Sequence, residues 1–188
     1  LETYGALADF QFRGDYCGSD GGQSQVSLMV EKSIGLFTEL VLEVVTQSSD
    51  ERKHAELLGA FFSICEVYVH KAPSLFLQHE AFPDICSAAV ECAVSHQERR
   101  SVRESIMFLV ALTDLPFSAT NKYFSREEDR EAFLDASVSR MQSALFEAHG
   151  ERLYEGCVKG ILGLIPEIFL DPLAHLLYAL SVSSAHFF

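Results

Sequence analysis

The stretch VHKAPSLFLQHEAFPDICSAAVECAV, Val69–Val94, decides how this chain folds. Its apolar residues suit helices, yet Pro73 and Pro83 stand ten positions apart within it. Proline lacks a backbone N–H and disfavours a helical residue before it, so Pro73 is expected to end one helix. Pro83 falls where the next apolar stripe begins, at a first-turn position that tolerates proline. Between the two, SLFLQHEAF is too apolar for a solvated loop. The expectation is a short turn of helix packed across the gap between two longer helices, which makes the stretch the turn of a helical repeat.

Outward from that turn, the period stays helical. Leu57, Leu58, Phe61, Phe62, Cys65, Tyr68 and Val69 recur at three and four, with Glu56, Ser63, Glu66 and His70 opposite. That is an amphipathic helix with one buried face. Ile85, Ala88, Ala89, Cys92 and Ala93 repeat the pattern, as do Val102, Ile106, Leu109 and Val110, and then Leu134, Val138, Met141 and Leu145. Leu153, Tyr154, Cys157, Val158, Ile161 and Leu162 form the cleanest stripe, and Leu173, Leu176, Leu177 and Leu180 the last. Val26 to Val45 is a longer segment with apolar residues on a wider face. No alternating strand pattern is present.

Start signals fall where the stripes restart. Ser48-x-x-Glu51, Ser95-x-x-Glu98 and Ser125-x-x-Glu128 each match a capping box, in which the Ser oxygen accepts a first-turn N–H and the Glu reaches back. Gly150 is expected to be a helix C-cap or tight bend between two stripes. TDLPFSATNKYFS, from Thr113, reads as the longest loop, and FSREEDREAF after it as an acid-rich helix start that complements the helix dipole. Pro166, Phe169, Leu170 and Pro172 loosely echo the order Pro73, Phe76, Leu77, Pro83.

Composition permits a folded core: 188 residues, 48% hydrophobic, with 15 Phe and no Trp. The formal charge of −13 repels phosphate backbones, which argues against general nucleic-acid binding, and it attracts basic partners. Cys17, Cys65, Cys86, Cys92 and Cys157 include no C-x-x-C and are expected to be reduced core thiols of an intracellular protein. Leu1 to Tyr16 has no basic start followed by an apolar run, so no signal peptide is expected there. The most apolar tract, Ile161–Val182, carries Glu167, Asp171 and two prolines, so no membrane span is expected. The apolar ends LETYGALADF and SAHFF read as those of a segment cut from a longer chain.

Helix pairs of about 40 to 47 residues mark HEAT or armadillo arrays. Starts at Glu51 and Glu98 lie 47 positions apart. The expected fold is therefore all-α: residues 1–188 as a single solenoid segment of about three to four antiparallel HEAT-like helix pairs, each stacked only on its neighbours. Uncovered end faces would account for the apolar termini.

Chemistry-bearing patterns are sparse. DYCGSDGGQ, Asp15–Gln23, lacks the Gly-Lys-Ser/Thr of a phosphate loop and reads as an inter-helix loop. The seven histidines show no zinc spacing. His79–Glu80 and the Glu147, His149, Glu151 set are the imaginable acid–base groups, but they are expected in exposed turns. Neither an enzyme nor a metal or cofactor is expected. Arg99, Arg100 and Arg103 form the one basic knot, with Arg99 and Arg103 on one face and Glu104 nearby. Its plain reading is a solvated, salt-bridged face; its sharper reading is a contact for an acidic or phosphorylated segment.

From Ser48 to Asp114 the order of features resembles the importin-β superfamily of nuclear transport receptors, and within it the transportin-SR branch. The carrying residues are LLGAFFSICEVYVHKAPSLFLQ, then AFPDICSAAVECAVSHQERRSVRESIMFLVALTD, with Ile106, Phe108, Leu109 and Leu112 set against a V-x-x-F-L-x-x-L helix, Ile106 one position after the place of its Val. RMQSALFEAHGERLYEGCVKGILGLIPEIFLDPLAHLLYAL is similar to the branch in helix lengths and order, and LADFQFRGDYCG looks like the end of a preceding repeat. The resemblance implies the C-terminal part of a longer receptor that shuttles between cytoplasm and nucleus. It would carry protein cargo, basic or Arg/Ser-rich, under the control of GTP-bound Ran and with nucleoporins as partners of the full-length protein. It implies no membrane and no direct nucleic-acid partner. The family's Ran-binding region and arginine-rich helix are not recognisable, so no functional residue carries over. The other reading of the same pattern is a HEAT-type scaffold subunit of a different assembly.

Overall fold

The computed structural model describes residues 25–47, 51–95, 98–118, 127–164 and 169–187, and no strand occurs among them. The protein is all-α there, as the periodicity requires. The helices are α1 (Gln25–Gln47), α2 (Glu51–Lys71), α3 (Pro73–Gln78), α4 (Phe82–Ser95) and α5 (Arg99–Ser118). They are followed by α6 (Glu127–Met141), α7 (Ala148–Lys159) and α8 (Leu170–Phe187). Two π-helical segments, Gln142–Glu147 and Gly160–Leu164, follow α6 and α7 respectively.

The turn at Val69–Val94 folds as its prolines dictate. α2 ends at Lys71, Pro73 occupies the first turn of α3, and Pro83 the first turn of α4. The short α3 buries Pro73, Ser74, Phe76 and Leu77. Phe76 is fully buried at the centre of an aromatic cluster. It meets the Phe82 ring edge-on at 5.7 Å and the Phe108 ring edge-on at 5.9 Å, and stacks on Tyr68 at 6.0 Å. Phe62 also stacks on Phe108 at 6.0 Å. Edge-on and offset pairs suit the ring quadrupole, so one six-residue helix ties α2, α4 and α5 together.

Around this cluster, α5 packs against α2, α4 and α8; α4 also packs on α7, α1 lies along α2, and α7 along α8. The core joins Phe61, Phe62 and Cys65 of α2 to Ile85, Ala89 and Val90 of α4, and to Ile106, Phe108, Leu109 and Leu112 of α5. Leu145, Leu153, Cys157, Leu173 and Leu176 extend it through the last helices. Two backbones come especially close: a Cβ on Gly156 of α7 would lie 2.4 Å from Val94 Cγ1 of α4.

Several expectations are corrected. Gly150 is neither cap nor bend: it lies within α7, and helix continues from α6 through the π segment into α7. Each π-turn holds one more residue than an α-turn, so the register of the buried face changes without a chain break. Ser95 is the last residue of α4 rather than the cap of the next helix. Instead the Glu98 carbonyl accepts the Val102 N–H at 3.1 Å, and α5 starts at Arg99. Ser48 and Ser125 lie outside the described residues. Thr113–Ser118, expected in a loop, forms the end of α5, because Thr113 and Leu115 are buried and hold that turn against the core.

The stripe at Leu153–Leu162 buries only one edge. Leu153 and Cys157 are core, while Tyr154, Ile161 and Leu162 are exposed. On α6 the buried line runs Phe133, Ser137, Met141, one position before the expected Leu134 and Val138, and it has a serine at its centre.

Candidate functional site

Arg99 and Arg100 sit in the exposed first turn of α5, with Arg103 one turn on. Arg103 pairs with its neighbour Glu104, whose other oxygen accepts a hydrogen bond from Ser63 of α2 at 3.1 Å. The Arg100 stem lies over Gly59 of α2, its Cγ 3.1 Å from where a Cβ would stand. The three arginines therefore spread over a solvated face and do not converge on a pocket. An exposed ion pair such as Arg103–Glu104 is worth at most about 1 kcal/mol.

The imagined acid–base groups are held in structural roles or spread apart. His79 Nδ1 accepts the Ala81 N–H at 3.1 Å and its carbonyl accepts the Phe82 N–H at 3.1 Å, which closes the turn from α3 into α4. Glu80 is exposed beside it. Glu147, His149 and Glu151 lie on helix rather than in a turn. Residues two apart on a helix point to different sides, so His149 does not stand beside either carboxylate. The Asp15–Gln23 loop and Cys17 lie outside the described residues.

Cys65, Cys86, Cys92 and Cys157 are buried and form no disulfide. Burial raises the Cys65 and Cys86 thiols well above their usual range and raises Cys92 as well; it pushes Cys157 up to about 12. They stay protonated near neutral pH, and a protonated thiol is a poor nucleophile and metal ligand. Among the described residues, no group of three His, Cys, Asp or Glu is placed to hold a metal ion. Among the same residues, no helix is long and apolar enough to cross a membrane.

Two cavities stand out among the described residues. The first, about 350 Å³, is lined by Leu42, Val45, His54, Leu58, Cys92 and Glu98 among others, where α1, α2, α4 and α5 meet. His54 Nε2 is buried there without a hydrogen-bond partner. The second, about 300 Å³, lies between α3 and α6 and is lined by Ser74, Leu77, Gln78, Phe133, Ala136, Ser137 and Arg140. Arg140 Nε donates to the Leu77 carbonyl at 3.1 Å and Nη2 to the His79 carbonyl at 3.4 Å. Its guanidinium carbon stands 6.0 Å from the Phe82 ring centre, a cation–π distance. Sequence reasoning did not single out Arg140 or Ser137. The available signal was polar residues at Ser137 and Arg140 on the line through Phe133 and Met141.

No family model, curated protein or solved structure matches this chain. The class on which a functional reading rests is thus the all-helical fold and its surfaces.

Proposed function

We propose that this chain is part of a nuclear transport receptor of the importin-β type. It would be a solenoid of about three to four antiparallel HEAT-like pairs that carries protein cargo, basic or Arg/Ser-rich, through nuclear pores. One observation carries the reading: α2, α5 and α8 stack in series, and α7 stacks on α4, while α1–α2, α4–α5 and α7–α8 are neighbours along the chain. Successive pairs that pack in two layers, each on the pair before it, are what a repeat array predicts.

The outer flank of α1 adds support. Met29, Leu36, Phe37, Leu40 and Val44 are all exposed along it. In an array, such a flank is where a neighbouring pair packs; a monomer seldom leaves so long an apolar stripe in water. The resemblance from Ser48 to Asp114 selects the transport family from among HEAT-type proteins. Cargo binding is non-covalent, and GTP-bound Ran favours the solenoid conformation that releases it. Exposed Asp84 and Glu91 of α4, with Glu151 and Glu155 of α7, offer an acidic layer to basic cargo, partly offset by Arg152 and Lys159.

The test is capture of an Arg/Ser-repeat protein by the full-length receptor, phosphorylated and unphosphorylated, with and without GTP-loaded Ran. Capture abolished by GTP-loaded Ran is the expected result and defines an import receptor. Capture that requires GTP-loaded Ran turns the direction to export. Indifference to Ran in every condition overturns the transport reading and leaves a HEAT-type scaffold.

A further inference from the structure

We propose that the cleft between α3 and α6 is an oxyanion site, which takes a carboxylate or phosphate group carried on a compact apolar body. Three observations converge on it. The cleft offers about 300 Å³, at the lower end of the volumes of ligand pockets. Ser137 is 2% exposed, lines the cleft, and its Oγ has no hydrogen-bond partner. Arg140, half-buried on the same wall, pairs with no carboxylate among the described residues.

The serine is unusual by the standard of this fold. Serines on its helices donate back to a carbonyl three or four positions earlier: Ser33 to Val30, Ser63 to Gly59, Ser105 to Val102, Ser143 to Arg140. Ser137 makes no such bond. A buried hydroxyl without a partner is destabilising, which leaves Ser137 Oγ as a donor with nothing to receive it.

The arginine is oriented but not neutralised. A guanidinium has five N–H donors in a planar fork. Two serve the Leu77 and His79 carbonyls, and the Phe82 face holds the plane in place. The remaining donors of Arg140 meet no carboxylate among the described residues, and the residue lines the cleft. A neutral occupant would satisfy the hydroxyl and leave the charge uncompensated. An oxyanion does both, because its oxygens accept from Arg140 and from Ser137 together. Leu77, Phe133 and Ala136 supply the apolar walls, so the anion belongs on an apolar body rather than on a fully hydrated ion. This cleft takes its anion whether or not the chain carries nuclear cargo.

The experiment titrates the protein with two probes, phenyl phosphate and a capped peptide with phosphoserine between two leucines, while NMR follows the Arg140 side chain and the backbone around Ser137. Benzyl alcohol is the neutral control. The expected result is saturable shifts confined to α3 and α6 with an anionic probe, and none with benzyl alcohol. Tighter binding of phenyl phosphate marks a free small anion as the ligand; tighter binding of the peptide marks a partner's acidic side chain. Arg140→Lys keeps the charge and loses the fork, and should weaken binding about tenfold or more. Ser137→Ala should also weaken binding about tenfold while the protein melts no lower, since the unpartnered hydroxyl is gone. Absence of saturation with both anions, or equal binding by the Ser137→Ala variant, overturns the proposal.

Discussion

Substitution of Gly156 by alanine tests the close approach of α7 to α4. The added Cβ would stand 2.4 Å from Val94 Cγ1, 3.1 Å from its Cβ and 3.7 Å from its Cα. Carbon atoms pack without strain at about 3.5–4.0 Å. Rotation of Val94 about χ1 moves Cγ1 but not Cβ, and a helical valine strongly prefers one rotamer. α4 and α7 must therefore separate by some tenths of an ångström, which loosens Leu153 and Cys157, both core residues. Overpacking of this kind costs about 1–3 kcal/mol. Alanine returns up to about 1 kcal/mol over glycine within a helix. The net expectation is a loss of about 1–2 kcal/mol.

Gly150 is the internal control. It lies in the same helix, and nothing stands within 4 Å of an added Cβ. Gly150→Ala keeps the propensity gain without the clash, so it should stabilise by about 0.5–1 kcal/mol. Urea unfolding at constant slope is the assay. The midpoint should fall for Gly156→Ala and rise for Gly150→Ala, by several tenths of a molar each, given slopes of about 1–3 kcal/mol per molar. A Gly156→Ala midpoint equal to or above that of the parent would refute the close-approach argument.

Other outcomes follow from the same packing. Phe76→Ala should lower stability by about 3–5 kcal/mol in the same urea assay, because it empties the centre of the aromatic cluster; a loss below about 1 kcal/mol would show that α3 is not a tie between the longer helices. Stability should fall at alkaline pH. The four buried thiols have pKa values raised above the ordinary 9.0, so the folded state retains protons that the unfolded chain loses. Their contribution is complete below pH 9.0 and is lost as pH rises through the folded values, Cys157 near 12. Each thiol adds a slope of about 1.4 kcal/mol per pH unit within that window. Thermal unfolding measured from pH 8 upward should show the decline, and flat stability to pH 11 would contradict it. Alkylation followed by peptide mass spectrometry should modify Cys65, Cys86 and Cys157 at the rate of unfolding, whereas immediate labelling in native buffer would place them at the surface. Capture of basic cargo should weaken with added salt if the acidic layer of α4 and α7 attracts it, and salt-insensitive capture would count against that role.

Helicity was legible in this chain because its causes are local. Apolar residues at three and four, and two prolines with no donor of their own, act through backbone geometry alone. They therefore set the α2–α3–α4 turn without reference to distant residues. The burial of Phe61, Phe62, Cys65 and Val69 followed from the same period. Tertiary structure decided what depends on a neighbour. Periodicity marks a face but not which edge another helix covers, so Leu153 and Cys157 are core while Tyr154 and Leu162 meet solvent. Gly150 has the chemistry of a helix end, yet continued helical bonding outweighs that local preference, and Ser95 ends α4 instead of capping α5. The cleft at Ser137 and Arg140 exists only because α3 and α6, far apart in sequence, come together around it. One-dimensional spacing carries no record of such a meeting, since the energy that creates it comes from the packing of other residues.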